Sequence, residues 1–253
     1  MAVSLSDLVA KADQVMQPGR LADYCPNGLQ VEGKPEIARI VSGVTASQDF
    51  LEKAIAAKAD LVLVHHGYFW KGEDPTLTGI KRRRIKLLMD NEVSLLAYHL
   101  PLDVHAEFGN NVQLAKLLNM EVTGPLETGN ALSVGLIGQL PAPLSPESLA
   151  GLIETRLGRK PLHIPAGNSS IKKVAWCTGA AQGYIEKAIK ADVDAYISGE
   201  ISEPTVHLAR EGKVDYFSVG HHASERYGVQ ALGKFLADYF QIEHCFIDAD
   251  NPV

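Results

Sequence analysis

Residues 40–66 and 174–200 align without a gap, and no other feature constrains the fold of this chain as strongly. Ala46 and Ala180, Gln48 and Gln182, the runs Glu52–Ile55 and Glu186–Ile189, Ala57 and Ala191, and Asp60 and Asp194 are identical. Each copy reads as apolar strand, helix, apolar strand: 40–45, 47–58 and 61–65 in the first, 173–178, 181–191 and 194–198 in the second. The helical stretches gather Phe50, Leu51, Ala54 and Ile55, or Tyr184, Ile185, Ala188 and Ile189, on one face. A further strand follows in each copy, at 93–98 and 215–219. Recurrence of a whole structural grammar reads as internal duplication.

Strands alternating with amphipathic helices predict an α/β fold. We expect two similar α/β halves, with mainly parallel sheets flanked by helices. The first half spans 1–125 and the second 126–253, in which 126–170 is a connecting segment. Within it, Ser145-Pro146 predicts a helix start and Gly158 its stop after Leu157. Right-handed crossovers place the strand C-termini on one edge, where open α/β sheets bind ligands.

Histidines stand at those strand ends. The run 61–64 closes on His65 and His66, the run 94–98 on His99-Leu-Pro-Leu-Asp103, and the run 216–220 on His221-His-Ala-Ser-Glu225. Singly, each has a bland reading. An HH pair is ordinarily one core and one exposed histidine, Asp103 reads as a helix cap, and His221 with Glu225 as a surface pair. Together, three strand ends delivering histidine, two with a carboxylate four residues on, point to divalent metal in a cleft between the halves. Buried imidazoles and carboxylates otherwise need several polar partners. Imidazole with carboxylate suits zinc, iron, manganese or nickel. His65, His66, His99, Asp103, His221 and Glu225 exceed one tetrahedral site, so two ions sharing a bridging carboxylate are expected. His222 and His105 are candidates for a supporting or substrate-facing place, Glu200 occupies the position of His66 in the second copy, and His163, His207 and His244 read as packing or surface residues.

Other features narrow the function class. The three cysteines, Cys25, Cys177 and Cys245, form no CxxC pair, which disfavours a thiolate site and fits a reducing cytoplasm. The N-terminus reads as an amphipathic helix rather than a signal peptide, and no apolar run approaches the roughly 20 residues of a membrane span. A net charge of −6 argues against nucleic acid as a partner. Lys81–Arg84 is the single basic cluster. It reads as a solvated helix face or as an anion patch. Pro26-Asn27-Gly28 reads as a simple turn.

PNGLQVEG (26–33), HHGYFWKG (65–72), HLPLD (99–103) and GHHASE (220–225) resemble the Ngg-interacting-factor-three family, whose members carry the label GTP cyclohydrolase 1 type 2 homolog. The resemblance spans the chain and is nearest the short bacterial YbgI type. It implies two similar α/β halves, a dinuclear metal centre in the cleft and a toroidal homohexamer. Carried over, His65, His66, Asp103, His221 and Glu225 match the family's metal ligands, with His99 an additional ligand or close neighbour. The expected function is a metal-dependent hydrolase of a nucleotide-like or phosphorylated heterocyclic small molecule, with Glu225 as the catalytic bridging carboxylate. The alternatives are a non-catalytic metal-binding, regulatory or metallochaperone protein, and a ring associated with nucleic acid.

Overall fold

The computed structural model describes residues 2–130 and 132–253. The chain divides into two compact units. The first takes the chain up to Phe108 together with Gly228–Asp250, and the second takes Gly109–Tyr227 with Asn251–Val253. Up to Phe108 the elements are β1 (Val3–Ser4), α1 (Leu5–Met16), β2 (Gly28–Val31), β3 (Glu36–Ile37), β4 (Arg39–Thr45), α2 (Gln48–Ala56), β5 (Leu61–His66), α3 (Gly79–Asp90), β6 (Ser94–Ala97) and α4 (Leu100–Val104). Then follow α5 (Asn110–Leu117), β7 (Glu121–Pro125), β8 (Leu136–Leu144), α6 (Pro146–Leu157), β9 (Leu162–Ile164), β10 (Ile171–Cys177), α7 (Ile185–Lys190), β11 (Ala195–Ser198), α8 (Glu203–Glu211) and β12 (Asp215–Ser218). The long helix α9 (His221–Phe240) and β13 (Glu243–Phe246) complete the chain.

In the first unit β13, β4, β5 and β6 run parallel, and β2 closes the sheet antiparallel beside β6. Leu61–Val64 is wholly buried, as a strand covered on both faces must be. Alternate side chains go to opposite layers. Ile40, Leu61, Leu63 and Leu96 pack with α1 and with the Val229, Leu232 and Leu236 stripe of α9. Val41, Val62, Val64 and Leu95 pack with Phe50, Leu51, Ile85 and Leu88 of α2 and α3. Each such fully buried side chain contributes roughly 1.5–3 kcal/mol.

The second unit carries the strand order β7-β8-β10-β11-β12-β9. Here the expectation of a mainly parallel sheet needs correcting. β10, β11 and β12 are parallel, but β7, β8 and β9 join antiparallel. Side-chain periodicity identifies a strand but carries no direction, and β7 and β8 are joined by a short reversal. The boundary also differs from the 125/126 cut. The second unit begins at Gly109, and the 126–170 segment is no mere connection, since β8, α6 and β9 are built into the unit. α6 itself has the expected ends. Ser145 Oγ accepts from Ser148 N at 3.2 Å, Pro146 opens the helix and Gly158 closes it with φ 67°.

The aligned segments form the same arrangement in each unit. Ile40 pairs with Leu61 and Val174 with Ala195, at the same register. The identical aspartates have identical work. Asp60 Oδ2 accepts from the amides of Ala38 and Arg39 at 2.7 and 2.9 Å, and Asp194 Oδ2 from those of Lys172 and Lys173 at 2.8 Å each. Each satisfies the two donors that lead its strand into the sheet.

Candidate metal centre

In the first unit the candidate ligands leave from neighbouring parallel strands. β5 and β6 are in register as Val64 with Ala97, so His65 and His66 emerge beside Tyr98 and His99. His65 is completely buried, and its Nδ1 lies 2.9 Å from the Tyr98 carbonyl. A carbonyl only accepts, so Nδ1 carries the proton and Nε2 the lone pair. His66 Nδ1 lies 3.1 Å from Thr45 Oγ1, and His99 Nδ1 2.7 Å from Asp23 Oδ1. All three rings thus have an outer partner at Nδ1, the arrangement that orients metal-binding imidazoles. One ligand atom from each of His65, His66 and His99 comes within 4.8 Å of the others. Asp103 Oδ1 stands 3.6 Å from His65 Nε2. Asp103 is not the helix cap; α4 already begins at Leu100, with Pro101 in its first turn, and Asp103 lies inside it.

The PNGLQ segment, whose Pro26-Asn27-Gly28 was read above as a simple turn, fixes His99 and the loop after His66. Asn27 Oδ1 accepts from the His99 amide at 2.7 Å, and Asn27 Nδ2 donates to Asp23 Oδ2 at 2.8 Å. Asp23 Oδ2 also accepts from Leu100 N at 2.9 Å. Burial opposes the Asp23 charge, but the hydrogen bonds from His99 and Asn27 outweigh it and bring its pKa down to about 2. The Gln30 side chain pairs with the backbone of Tyr68, donating to its carbonyl at 3.2 Å and accepting from its amide at 2.8 Å. That pair pins the loop after His66.

In the second unit Gly220, at φ 95°, turns the chain into α9, which starts at His221. Spacing of four brings His221 Nε2 to 3.1 Å from Glu225 Oε2. His221 Nδ1 is 2.7 Å from Glu200 Oε1. Glu200, which aligns with His66 in the second copy, therefore orients the His221 ring. Burial disfavours the charged His221 ring, yet Glu225 and then Glu200 prevail and push its pKa up to about 9. Glu225 is 3% exposed. Gly179, at φ 70°, passes so close that a Cβ there would collide with Glu225 Oε1 and stand 3.2 Å from His221 Nε2.

The donor set fits a divalent cation. It offers imidazoles oriented through Nδ1 and buried carboxylates, both suited to zinc, iron, manganese or nickel. Cys25 lies within the same reach of Asp23 and His99. Burial, and then the Asp23 charge, push its thiol up to about 12, so it stays protonated at neutral pH.

His105, His163, His207 and His244 are engaged elsewhere. His105 Nδ1 accepts from the amides of Glu107 and Phe108 at 3.1 and 3.0 Å, and its ring stacks on Phe108. It shapes a loop. The His222 amide donates to the Val253 carbonyl at 3.0 Å. His163 bonds Asp215 at 2.6 Å and stacks on Phe217, His207 bonds Glu203, and His244 bonds Ser42. In the basic cluster Lys81 pairs with Glu73 at 3.1 Å, Arg82 and Arg83 are exposed, and Arg84 is half-buried. Asp23, Thr45 and Gly179 were not singled out by sequence reasoning, and Asn27 and Gln30 only as part of a turn and of the PNGLQVEG motif. For Asp23 no local signal existed, because its partner is distant along the chain.

Among the described residues, no helix is long and apolar enough to cross a membrane. A family profile described as Duf34/NIF3 (NGG1p interacting factor 3) matches residues 3–252. A Pseudomonas aeruginosa protein named GTP cyclohydrolase 1 type 2 homolog is 59% identical, covering 100% of both chains. The solved structure of protein ybgI, described as of unknown function, superposes with a TM-score of 0.95 at 45% identity, over 99% of this chain and 100% of that one. TTHA1606 from Thermus thermophilus superposes with a TM-score of 0.90 at 29% identity, with the same coverage.

Proposed function

Because the chain belongs to the Duf34/NIF3 family, we propose that it is a metal-dependent hydrolase of a nucleotide-like or phosphorylated heterocyclic substrate. The observation that carries this reading is the common support of the histidines. His65, His66, His99 and His221 each have an outer partner at Nδ1, namely Tyr98 O, Thr45 Oγ1, Asp23 and Glu200. Such support costs several buried polar groups, and it serves ligation better than packing. We take His65, His66, His99 and Asp103 from the first unit, and His221 and Glu225 from the second, as ligands of two divalent ions.

When bound, such ions polarise a carbonyl or phosphoryl oxygen and acidify water toward neutral pH. The chain's own groups do the rest. Asp23 keeps the His99 proton on Nδ1, and the Tyr98 carbonyl does the same for His65. Glu200 turns His221 toward Glu225. Glu225, whose second oxygen lies against Gly179, is the carboxylate we assign to bridging and to catalysis. The name borne by the curated relatives, GTP cyclohydrolase 1 type 2 homolog, supports a nucleotide-like substrate. The reading includes a cytoplasmic homohexamer; Cys25, Cys177 and Cys245, which form no CxxC pair, fit a reducing compartment.

The test is elemental analysis of natively purified protein, with turnover assays on nucleotides and phosphoesters after loading with manganese, iron or zinc. We expect bound divalent metal, and turnover that is lost in Glu225→Ala and His65→Ala. Turnover that persists in both variants overturns the catalytic assignment. Native mass measurement tests the hexamer.

A further inference from the structure

Tyr24 and Trp70 flank His99. The Trp70 ring meets it edge-on, with centroids 5.0 Å apart and planes at 84°, and Tyr24 does so at 6.4 Å and 63°. Trp70 also lies 6.0 Å from His66. Aromatic rings beside a ligand ordinarily shield it, but three observations point further. Tyr24 is 63% exposed, so it shields little. Its backbone is nonetheless fixed, the amide donating to Asp23 Oδ1 and the carbonyl accepting from Lys71 N, both at 2.6 Å. And Phe69, just before Trp70, holds a left-handed φ of 66°. A bulky residue there is strained, and such strain clusters where a side chain must be aimed. Trp70 is then secured by Nε1 donating to the Gly67 carbonyl at 3.2 Å and by its amide donating to Glu73 Oε2 at 3.1 Å. Trp70 is only partly buried and Tyr24 is exposed, so both rings keep accessible surface.

We propose that Tyr24 and Trp70 form a stacking platform for a planar heteroaromatic ring of the nucleobase class. This deepens the hydrolase reading and rests on it for the reacting end of the substrate. Trp70 is held in place before binding and Tyr24 stands on a fixed backbone, so part of the ordering cost is already met. Base stacking tolerates many ring types, because each offers a π-face. The platform therefore selects the class of substrate, and the polar groups around His99 select within the class.

The experiment uses the full-length, metal-loaded protein with guanosine 5′-monophosphate and ribose 5-phosphate as probes. The chain has two tryptophans, and Trp176 is completely buried, so indole quenching reports on Trp70. We expect the nucleotide to quench and ribose 5-phosphate not to. Trp70→Phe should abolish quenching while calorimetry still detects the nucleotide. Tyr24→Ala should weaken nucleotide binding by about tenfold, with ribose 5-phosphate binding and metal content unchanged. Equal affinity for the two probes, or unaltered nucleotide affinity in Tyr24→Ala, overturns the platform. Metal content, read on the same samples, separates the two readings. Normal loading without ring selectivity defeats the platform alone, whereas quenching in protein that holds no metal supports the platform and defeats the metal reading.

Discussion

Asp23 and His99, far apart in sequence, meet at 2.7 Å between Oδ1 and Nδ1. The same carboxylate takes the Asn27 side chain and the Leu100 amide. One acidic residue thereby sets the tautomer of a candidate ligand, the conformation of the PNGLQ segment and the start of α4. Asp23→Asn keeps the shape and removes the charge. We expect divalent-metal affinity to fall roughly 10- to 100-fold, the usual effect of losing an outer partner, with the circular dichroism spectrum unchanged. Competition against a chromogenic chelator measures it.

Gly179 tests the second unit's ligands. A methyl group at this position must displace Glu225 or the backbone, and alanine is strained at φ 70°. Gly179→Ala is expected to cost roughly 1–3 kcal/mol of stability and to reduce metal content together with it. Thermal unfolding and elemental analysis on one preparation check both. Full metal content in a normally folded variant rules out our placement of Glu225 as a ligand.

His244 gives the first unit a sensitivity to acid. Its ring lies against the backbone of α9 at Gly233 and bonds Ser42 Oγ at 2.8 Å. Burial, and then the charge of Lys234, lower its pKa below the ordinary 6.5, against the pull of Asp238. The unfolded chain therefore takes up the proton first as pH falls. This contribution to stability is complete above pH 6.5 and is lost as pH drops through the lower folded value. Urea titrations from pH 8 downward should show a decline on the acid side that is shallower in His244→Gln.

The aligned aspartates allow a matched comparison. Asp60→Ala and Asp194→Ala each strand two strand-leading amides, and each should cost roughly 1–3 kcal/mol. Hydrogen exchange should localise the loss to β4 in the first case and β10 in the second. Asp60 also pairs with Lys34, so its replacement should be the costlier of the two.

Chelation is the simplest test of the metal. A ligand that binds only the native state raises stability according to its concentration and affinity. Removal of metal with a chelator should therefore lower Tm, and manganese or zinc should restore it. A Tm indifferent to both would leave the histidines with a purely structural role.

Much of this was legible along the chain. Local periodicity identified β4, α2 and β5 and their counterparts β10, α7 and β11, because burial on a strand or helix face imposes its own spacing on the residues. Strand ends, glycines and prolines likewise marked where His65, His66, His99 and His221 emerge. Strand direction was not written in that spacing, which is why the antiparallel β7, β8 and β9 and the chain exchange at Gly109 and Gly228 came only with the fold. Nor was the support of the ligands. Asp23 on His99, Thr45 on His66 and Gly179 against Glu225 are contacts between residues that no short-range pattern relates. Hydrogen bonds and close approaches depend on distance in space, and only tertiary structure determines it.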